Sequence, residues 1–362
     1  MRGARAMTTE FWTMGGGRPT SDDPSVFDGV QMAVQAEQLG YDGIVWVDSQ
    51  NLAADCYVSM ALAAHATSRI QLGTGVTNSY TRHPAITASA IASIQAESRG
   101  RAHMGIGRGD SALAHLGLAP HGVGEFEQYL IQLQAYLRGD EVQFGETDVE
   151  ALGLADTPQA SRIYYMAQMG PKVPVDVAAT GPRVIQAAAR HADRVSFNLG
   201  ADVDRTRWGM EVAREAREEA GLDPEIPFAA YIPLAVHDDP EQAMRIGAGQ
   251  VSLFARFSSM YGTVIGPASD QQARVLTDIH DHYDMHGHGR PGSAQAGVIP
   301  TEFERSFGVF GPPDYCVQRL GELIETGVDR FIFRGSPLDP SDPDSESSVR
   351  FAQEVIPQLK GS

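Results

Sequence analysis

The sequence predicts a (β/α)8 (TIM) barrel. Eight short apolar runs follow one another, nearly every run is followed by an amphipathic helical stretch, and no cluster of adjacent hairpin turns breaks the series. Such alternation makes a parallel sheet, and eight units favour a closed barrel over an open doubly wound sheet. A bare barrel needs roughly 250 residues. The 362 residues here are therefore read as one domain, 1–362, with insertions near 139–172 and 265–304.

The elements follow in order. Glu10–Met14 is the first strand, and a helix over Ser25–Leu39 carries Phe27, Val30 and Val34 on one stripe before the C-capping Gly40. Gly43–Val47 is the second strand; Asp55 can cap a helix running to about Thr67. Ile70–Leu72 is the third, and Pro84 opens a helix to about Ser98, where its missing N–H does no harm. Ala102–Ile106 is the fourth, with a helix near Glu125–Leu137. Gly139–Lys172 lacks a long helical pattern and is read as an insertion. Val175–Ala179, the helix Pro182–His191, Arg194–Asn198, the helix Asp204–Ala220 and Pro227–Val236 resume the rhythm. Glu241–Tyr261 reads as helix, and Leu276–Glu304, rich in Gly and His, as a lid or loop. The helix Pro313–Thr326 ends at Gly327, Asp329–Arg334 is strand eight, and Ser347–Leu359 is the last helix.

Composition narrows the function. A net charge of −18 repels phosphate backbones and anionic lipid, so neither nucleic acid nor membrane is an expected partner. An anionic cofactor would need a local positive site. The two cysteines, Cys56 and Cys316, lie in helical patterns with no CxxC or Cys/His partner and are read as small buried hydrophobes of a reducing, cytoplasmic setting. No run approaches ~18 apolar residues. Met1–Met7 has two Arg and no apolar core of a signal peptide, and Met7 is a candidate start.

Barrel enzymes place their chemistry on the loops after the strands. Those positions are Thr13 to Gly17, Asp48-Ser49-Gln50, Gly75-Val76-Thr77-Asn78, Gly107-Arg108-Gly109-Asp110, Thr180-Gly181-Pro182-Arg183, Asn198, His237 and Gly335-Ser336. Glycines here let backbone N–H groups approach a flat or phosphorylated ligand. No Ser/His/Asp motif, HExxH or P-loop is present, which points to an organic cofactor over protein-based nucleophilic or zinc chemistry. Gly105-Ile106-Gly107-Arg108-Gly109 is GxGxG, not a dinucleotide fingerprint, and is weak alone. Thr180-Gly181-Pro182-Arg183 ends a strand and opens a helix, so N–H groups, the positive helix end and Arg183 converge on a candidate phosphate site; a plain turn with Pro at the first helical position competes. His280, His282, His286 and His288 form two HxH pairs. Their unpatterned, Gly-rich surroundings favour a solvated loop over a metal site, so no metal is assigned. Trp12 and Trp46 are read as packing residues. Asp48 ends strand two, where a functional role and a helix-capping or turn role compete.

The stretch Leu72-Gly73-Thr74-Gly75-Val76-Thr77-Asn78-Ser79-Tyr80-Thr81-Arg82-His83-Pro84 resembles the luciferase-like superfamily of flavin- and deazaflavin-dependent enzymes, above all its methylene-tetrahydromethanopterin reductase branch. Gly100-Arg101-Ala102-His103-Met104-Gly105-Ile106-Gly107-Arg108-Gly109-Asp110, Ala179-Thr180-Gly181-Pro182-Arg183 and Gly335-Ser336-Pro337 continue the match in the right order. The resemblance implies the same barrel and an oxidoreductase or monooxygenase, acting on a small organic substrate with F420 or FMN. It implies a bulge at Gly75-Val76, with a non-prolyl cis peptide, beneath the ring. Thr77, Asn78, Gly107 and Arg108 would border the ring or its polar tail, and Thr180, Gly181 and Pro182 would hold the phosphate. Gly109, Asp110, Ala179, Arg183 and Asn198 complete the candidate cofactor set; Asp48, Asn78 and Arg108 are the candidate catalytic residues. Deazaflavin relatives often end strand two with Asp-His, where this chain has Ser49-Gln50. The choice between F420 and FMN, and between hydride transfer and monooxygenation, thus stays open. A homodimer is expected, and with FMN a separate flavin reductase as partner. The alternatives are a flavin-binding protein without turnover and, on the His cluster, a metal-dependent hydrolase.

Overall fold

The computed structural model describes residues 9–15, 27–144, 153, 159–288 and 292–361. The expected helix start at Ser25, the strand-end residues Gly16 and Gly17, the segment Met1–Met7 and most of 145–158 lie outside the described residues. Eight parallel strands close into a barrel: β1 (Glu10–Gly15), β2 (Gly43–Trp46), β3 (Gln71–Asn78), β4 (Ala102–Gly107), β5 (Val175–Ala179), β6 (Arg194–Phe197), β7 (Phe228–Val236) and β8 (Val328–Gly335). Each pairs with its sequence neighbour, and β8 closes on β1 with Glu10 opposite Arg330. The surrounding helices include α1 (Phe27–Leu39), α2 (Cys56–Ala66), α3 (Pro84–Glu97), α4 (Val123–Arg138), α5 (Pro182–His191), α6 (Val203–Glu219), α7 (Pro240–Gly247), α8 (Asp270–Asp281) and α9 (Pro313–Thr326). Among the described residues, no helix is long and apolar enough to cross a membrane.

Alternation along each strand sorts side chains to opposite faces. On β1, Phe11 faces the helices, while Glu10, Trp12 and Met14 face the barrel axis. On β8, Phe331 and Phe333 pack outward, and Arg330, Ile332 and Arg334 point in. The interior therefore stacks in layers. The lowest layer is charged. Arg330 Nε meets Glu10 Oε2 and its Nη1 meets Asp176 Oδ2, both at 2.6 Å. His103 lies 3.3 Å from the same guanidinium, and Arg194 pairs with Asp329. Burial first, then Arg330, holds His103 well below the ordinary imidazole value. Trp12 forms the lid of this layer, with Arg330 4.2 Å from its ring centroid. Trp12 and Trp46 are both buried packing residues away from the barrel mouth.

Three sequence expectations need correction, and one short strand has no counterpart among them. Strand three does not stop at Leu72 but runs to Asn78, because Gly73 and Gly75 occupy inward positions where a side chain would strike Val45. Leu276–Glu304 is not a plain loop: Leu276 sits inside α8, and short helices cover Ala294–Gly297 and Thr301–Phe307. Glu241–Tyr261 is not one helix but α7 followed by tight turns at Ala248–Gln250 and Arg256–Ser258 around the short helix Val251–Ala255. A short strand, Val309–Gly311, extends the pairing at the end of β7 and was not legible in the pattern.

Glu37 on α1 shows how a loop is fixed to a helix. Its carboxylate accepts N–H bonds from Ser68, Arg69 and Ile70 at the entry to β3. Burial opposes the charge, but these three N–H donors together hold its pKa below the ordinary 4.5. A depressed folded pKa gives stability that is full above the unfolded value and lost as pH falls through the folded one. Glu37→Gln is therefore expected to lower stability at pH 7 by about 1 kcal/mol, the worth of a solvent-screened charged cap. Thermal melts at pH 7 and pH 3 check this: the gap to wild type should close in acid, and a gap that persists would show the carboxylate charge to be irrelevant.

Candidate active site

A cavity of about 520 Å³ opens at the C-terminal ends of the strands. Strand parity determines its lining. Met14, Gly75, Gly107, Ala178, Asn198 and Arg334 are inward positions at the strand tips and reach it. Ala179 is turned the other way, into the helix-facing core, and does not line it.

The β3 end is the most structured part of the rim. The β3–β4 ladder slips register between Thr74 and Thr77, and the Gly75–Val76 peptide bond within the slip is cis. A Cβ on Gly75 would lie 2.3 Å from Val45 Cγ2, so only hydrogen fits there. Asn78 turns the chain into the next loop: its Oδ1 accepts N–H bonds from Tyr80 and Thr81, each at 2.9 Å. Its Nδ2 is buried with no protein partner among the described residues. Thr77 donates its hydroxyl to Asp48 Oδ2 at 2.7 Å, and Arg82 Nη1 meets the same oxygen at 2.6 Å. Asp48 is thus a buried carboxylate already neutralised by a guanidinium. Arg82 in turn reaches Asp55 and lies 4.7 Å over the Tyr57 ring. Burial opposes its charge, but Asp48 and its neighbours keep its pKa above the ordinary value.

On the neighbouring β4, Gly107, Arg108, Gly109 and Asp110 all line the cavity. Arg108 donates to the Tyr261 hydroxyl at 2.8 Å and keeps a buried Nε without a partner. Asp110 is held in an ion pair with Arg256. Thr180 and Gly181 line the rim beside the start of α5, which has Pro182 in its first turn and no side-chain cap. Arg183 is exposed one step further along and, like Pro182, does not line the cavity. Ser49 reaches the cavity, whereas Gln50 is tied to the Ala112 carbonyl at 3.1 Å.

Several lining residues were missed in the sequence. Tyr231 is an inward β7 residue whose hydroxyl has no hydrogen-bond partner among the described residues. Leu253, Phe254, Phe257, Met260 and Tyr261 form an apolar wall from the broken helical stretch after α7. Of the four clustered histidines only His288 lines the cavity, with its Nδ1 2.8 Å from the Tyr283 hydroxyl. Burial, then the nearby Arg256 and Arg334, push its pKa down to about 3, so it is a neutral imidazole at physiological pH. His282 instead bonds the Asp278 carbonyl, and among the described residues no group of three or more His, Cys, Asp and Glu could hold a metal ion. The period-2 signal that could have found Arg334 and Tyr231 was there: both follow inward neighbours two residues before or after them along their strands.

The cavity fits a planar cofactor with a polar edge. Three buried polar atoms on its lining residues, Asn78 Nδ2, Arg108 Nε and Asn198 Oδ1, have no partner among the described residues. Leaving each so costs roughly 1–3 kcal/mol unless a ligand completes it. A donor amide, a guanidinium and an acceptor amide around a side-chain-free bulge suit the carbonyl and N–H edge of an isoalloxazine or deazaflavin ring. The opposite, apolar wall leaves room for a substrate.

The family model described as luciferase-like monooxygenase matches residues 7–330 of this chain. A 5,10-methylenetetrahydromethanopterin reductase of Methanolobus tindarius is 30% identical over 312 residues, covering 84% of this chain and 89% of that protein. Among solved structures, the F420-dependent tetrahydromethanopterin reductase of Methanopyrus kandleri superposes with a TM-score of 0.68 at 23% identity, covering 98% of this chain and 100% of the other. The oxygenating constituent of 3,6-diketocamphane monooxygenase from Pseudomonas putida, in complex with FMN, superposes with a TM-score of 0.65 at 17% identity over 97% and 99% of the two chains.

Proposed function

This chain belongs to the luciferase-like monooxygenase family, and from that premise we propose that it is a reductase working by hydride transfer with F420 on a small organic substrate. That it is a flavin- or deazaflavin-dependent oxidoreductase follows from the family and its F420- and FMN-using members. The choice of a reductase rests on the relatives at 30% identity or above, and that of F420 on the similar proteins named as F420-dependent. The observation that carries the site is the set of unpartnered buried atoms around the Gly75–Val76 bulge.

In this reading Gly75 and Val76 support one face of the ring, and Asn78, Arg108 and Asn198 meet its polar edge. Thr77 and Asp48 fix the β2–β3 side of the rim, with Arg82 holding the Asp48 carboxylate in place. Gly107, Gly109 and Asp110 shape the β4 side. Thr180, Gly181 and the uncapped start of α5 receive the phosphate, with Arg183 adding positive charge at its outer side. Bound there, the cofactor supplies the pair of electrons exchanged with the substrate. The Leu253–Tyr261 wall keeps water from the reacting face, as such transfers require.

A homodimer and a cytoplasmic setting belong to the same proposal. Val58, Leu62 and Ile86 on α2 and α3 leave apolar surface exposed, and both cysteines are free and buried, as suits a reducing compartment. One observation favours FMN: Ser49-Gln50 stands where deazaflavin relatives carry Asp-His, and Gln50 is tied to the Ala112 carbonyl, so no imidazole is offered there. FMN would bring a separate flavin reductase as partner.

Fluorescence titration with F420 and with FMN tests the proposal. F420 should bind more tightly; tighter FMN binding reverses the cofactor choice, and binding of neither removes the function. Asn78→Asp keeps the Oδ1 acceptor that shapes the turn, deletes the Nδ2 donor and sets a carboxylate charge beside the ring, both of which oppose binding. It should weaken cofactor affinity about tenfold or more, the worth of one buried hydrogen bond. Unchanged affinity would place the ring elsewhere.

A further inference from the structure

The barrel mouth holds a guanidinium with no counter-ion. Arg334, the last inward residue of β8 but one from its end, lines the cavity. Its Nε donates to Gln250 Oε1 at 2.7 Å, and among the described residues no carboxylate lies within ion-pair distance of it. The acids nearest the cavity are already engaged, Asp48 by Arg82 and Asp110 by Arg256. Burial lowers the Arg334 pKa and no neighbouring anion offsets it. In a chain of net charge −18, a half-buried cation left without a counter-ion favours an anionic ligand, and its two terminal nitrogens present a planar fork that matches an oxyanion.

The position separates this cation from the candidate cofactor set. In the barrel order β8, β1, β2, β3, Arg334 stands three strands round from the Gly75–Val76 bulge. Gln250, its one partner, belongs to the stretch that also supplies Leu253, Phe254 and Phe257 to the apolar wall. A charged fork and an apolar surface thus come from one side of the cavity, facing the bulge.

We propose that Arg334 receives a carboxylate or equivalent oxyanion of the substrate, whose apolar body lies against Leu253, Phe254 and Phe257. The enzyme's substrate class is then an amphiphilic organic anion; this rests on the reading of the cavity as the site of a cofactor-dependent oxidoreductase. The neutral His288 beside the fork offers the anion a hydrogen bond without competing for it as a second fixed charge.

Calorimetric titration with benzoate and its neutral near-isostere benzamide, at low salt and with and without bound F420 or FMN, tests the proposal. Wild type should bind benzoate about tenfold to a hundredfold more tightly than benzamide, the range of a charged hydrogen bond. Arg334→Met should abolish the preference and Arg334→Lys should keep part of it. Gln250→Glu, which keeps Arg334 but gives it an internal anion, should abolish it too and covers the case in which Arg334→Met does not fold. Equal binding of the two probes by wild type overturns the proposal, as does a benzoate preference that survives Arg334→Met or Gln250→Glu. A loss of cofactor affinity in Arg334→Met with the benzoate preference retained assigns the fork to the cofactor instead. A protein that binds neither cofactor but prefers benzoate through Arg334 removes the oxidoreductase reading and keeps the anion site.

Discussion

Arg330→Met is expected to lower the folding stability by about 3 kcal/mol, because it leaves the buried Asp176 carboxylate without its nearest cation and takes the ion pair from the half-buried Glu10. Asp176 would keep Arg194, whose Nε is 3.7 Å away, as its nearest cation, and Glu10 would keep only the hydrogen bond it accepts from Trp12 Nε1. The flat cation stacked at 4.2 Å on Trp12 would go with it. In a chain of this size the loss amounts to a fall in melting temperature on the order of 10 °C. The pH dependence has a definite sign. Burial raises the Glu10 pKa, but Arg330 outweighs it and holds it below 4.5. The Glu10–Arg330 stabilisation is therefore complete above the ordinary carboxylate value and lost as pH falls through the lowered one. The gap between wild type and Arg330→Met should be largest at neutral pH and shrink below about pH 4.5. Denaturant titrations at pH 7 and pH 4 measure it; a gap that widens in acid would mean that the lost packing on Trp12, not the charge, dominates. Cofactor affinity should hardly change, since the charged layer lies below Trp12 and the cavity above it.

This charged layer also marks where sequence reasoning stops. The barrel was legible because its strands are buried on both faces and read as near-continuous apolar runs between amphipathic helices. The same continuity hid the parity of those runs. Glu10, His103, Asp176, Arg194 and Arg330 each sit at a strand start, and only the closed barrel, which turns alternate positions to one axis, brings them together. At the other end, Gly75, Asn78, Gly107, Arg108 and Thr180 were found because loop tips rich in Gly and short polar residues stand out. Arg334 and Tyr231 were missed as site residues because they lie within strands. The wall from Leu253 to Tyr261 was missed for a different reason: the helical period continues through Val251–Ala255, and nothing in it shows that the helix breaks on either side to face the cavity.

Arg82→Met should have the second large effect, on cofactor affinity. The substitution leaves Asp48 with one hydrogen bond, from Thr77, in a wall where its side chain is 4% exposed. The Asp48 charge is then uncompensated and close to a cofactor that bears phosphate. At an effective dielectric constant of about 20 and a separation of ~8 Å, that repulsion amounts to roughly 2 kcal/mol, or some thirtyfold in affinity. Arg82→Met combined with Asp48→Asn completes a cycle in which the two effects cannot be additive. If the carboxylate is the cause, the double variant recovers most of the affinity that Arg82→Met lost. If it binds as weakly as the single variant, Arg82 acts through the shape of the loop it pins to Asp55 and Tyr57, and Asp48 is a structural anchor with no electrostatic part in binding.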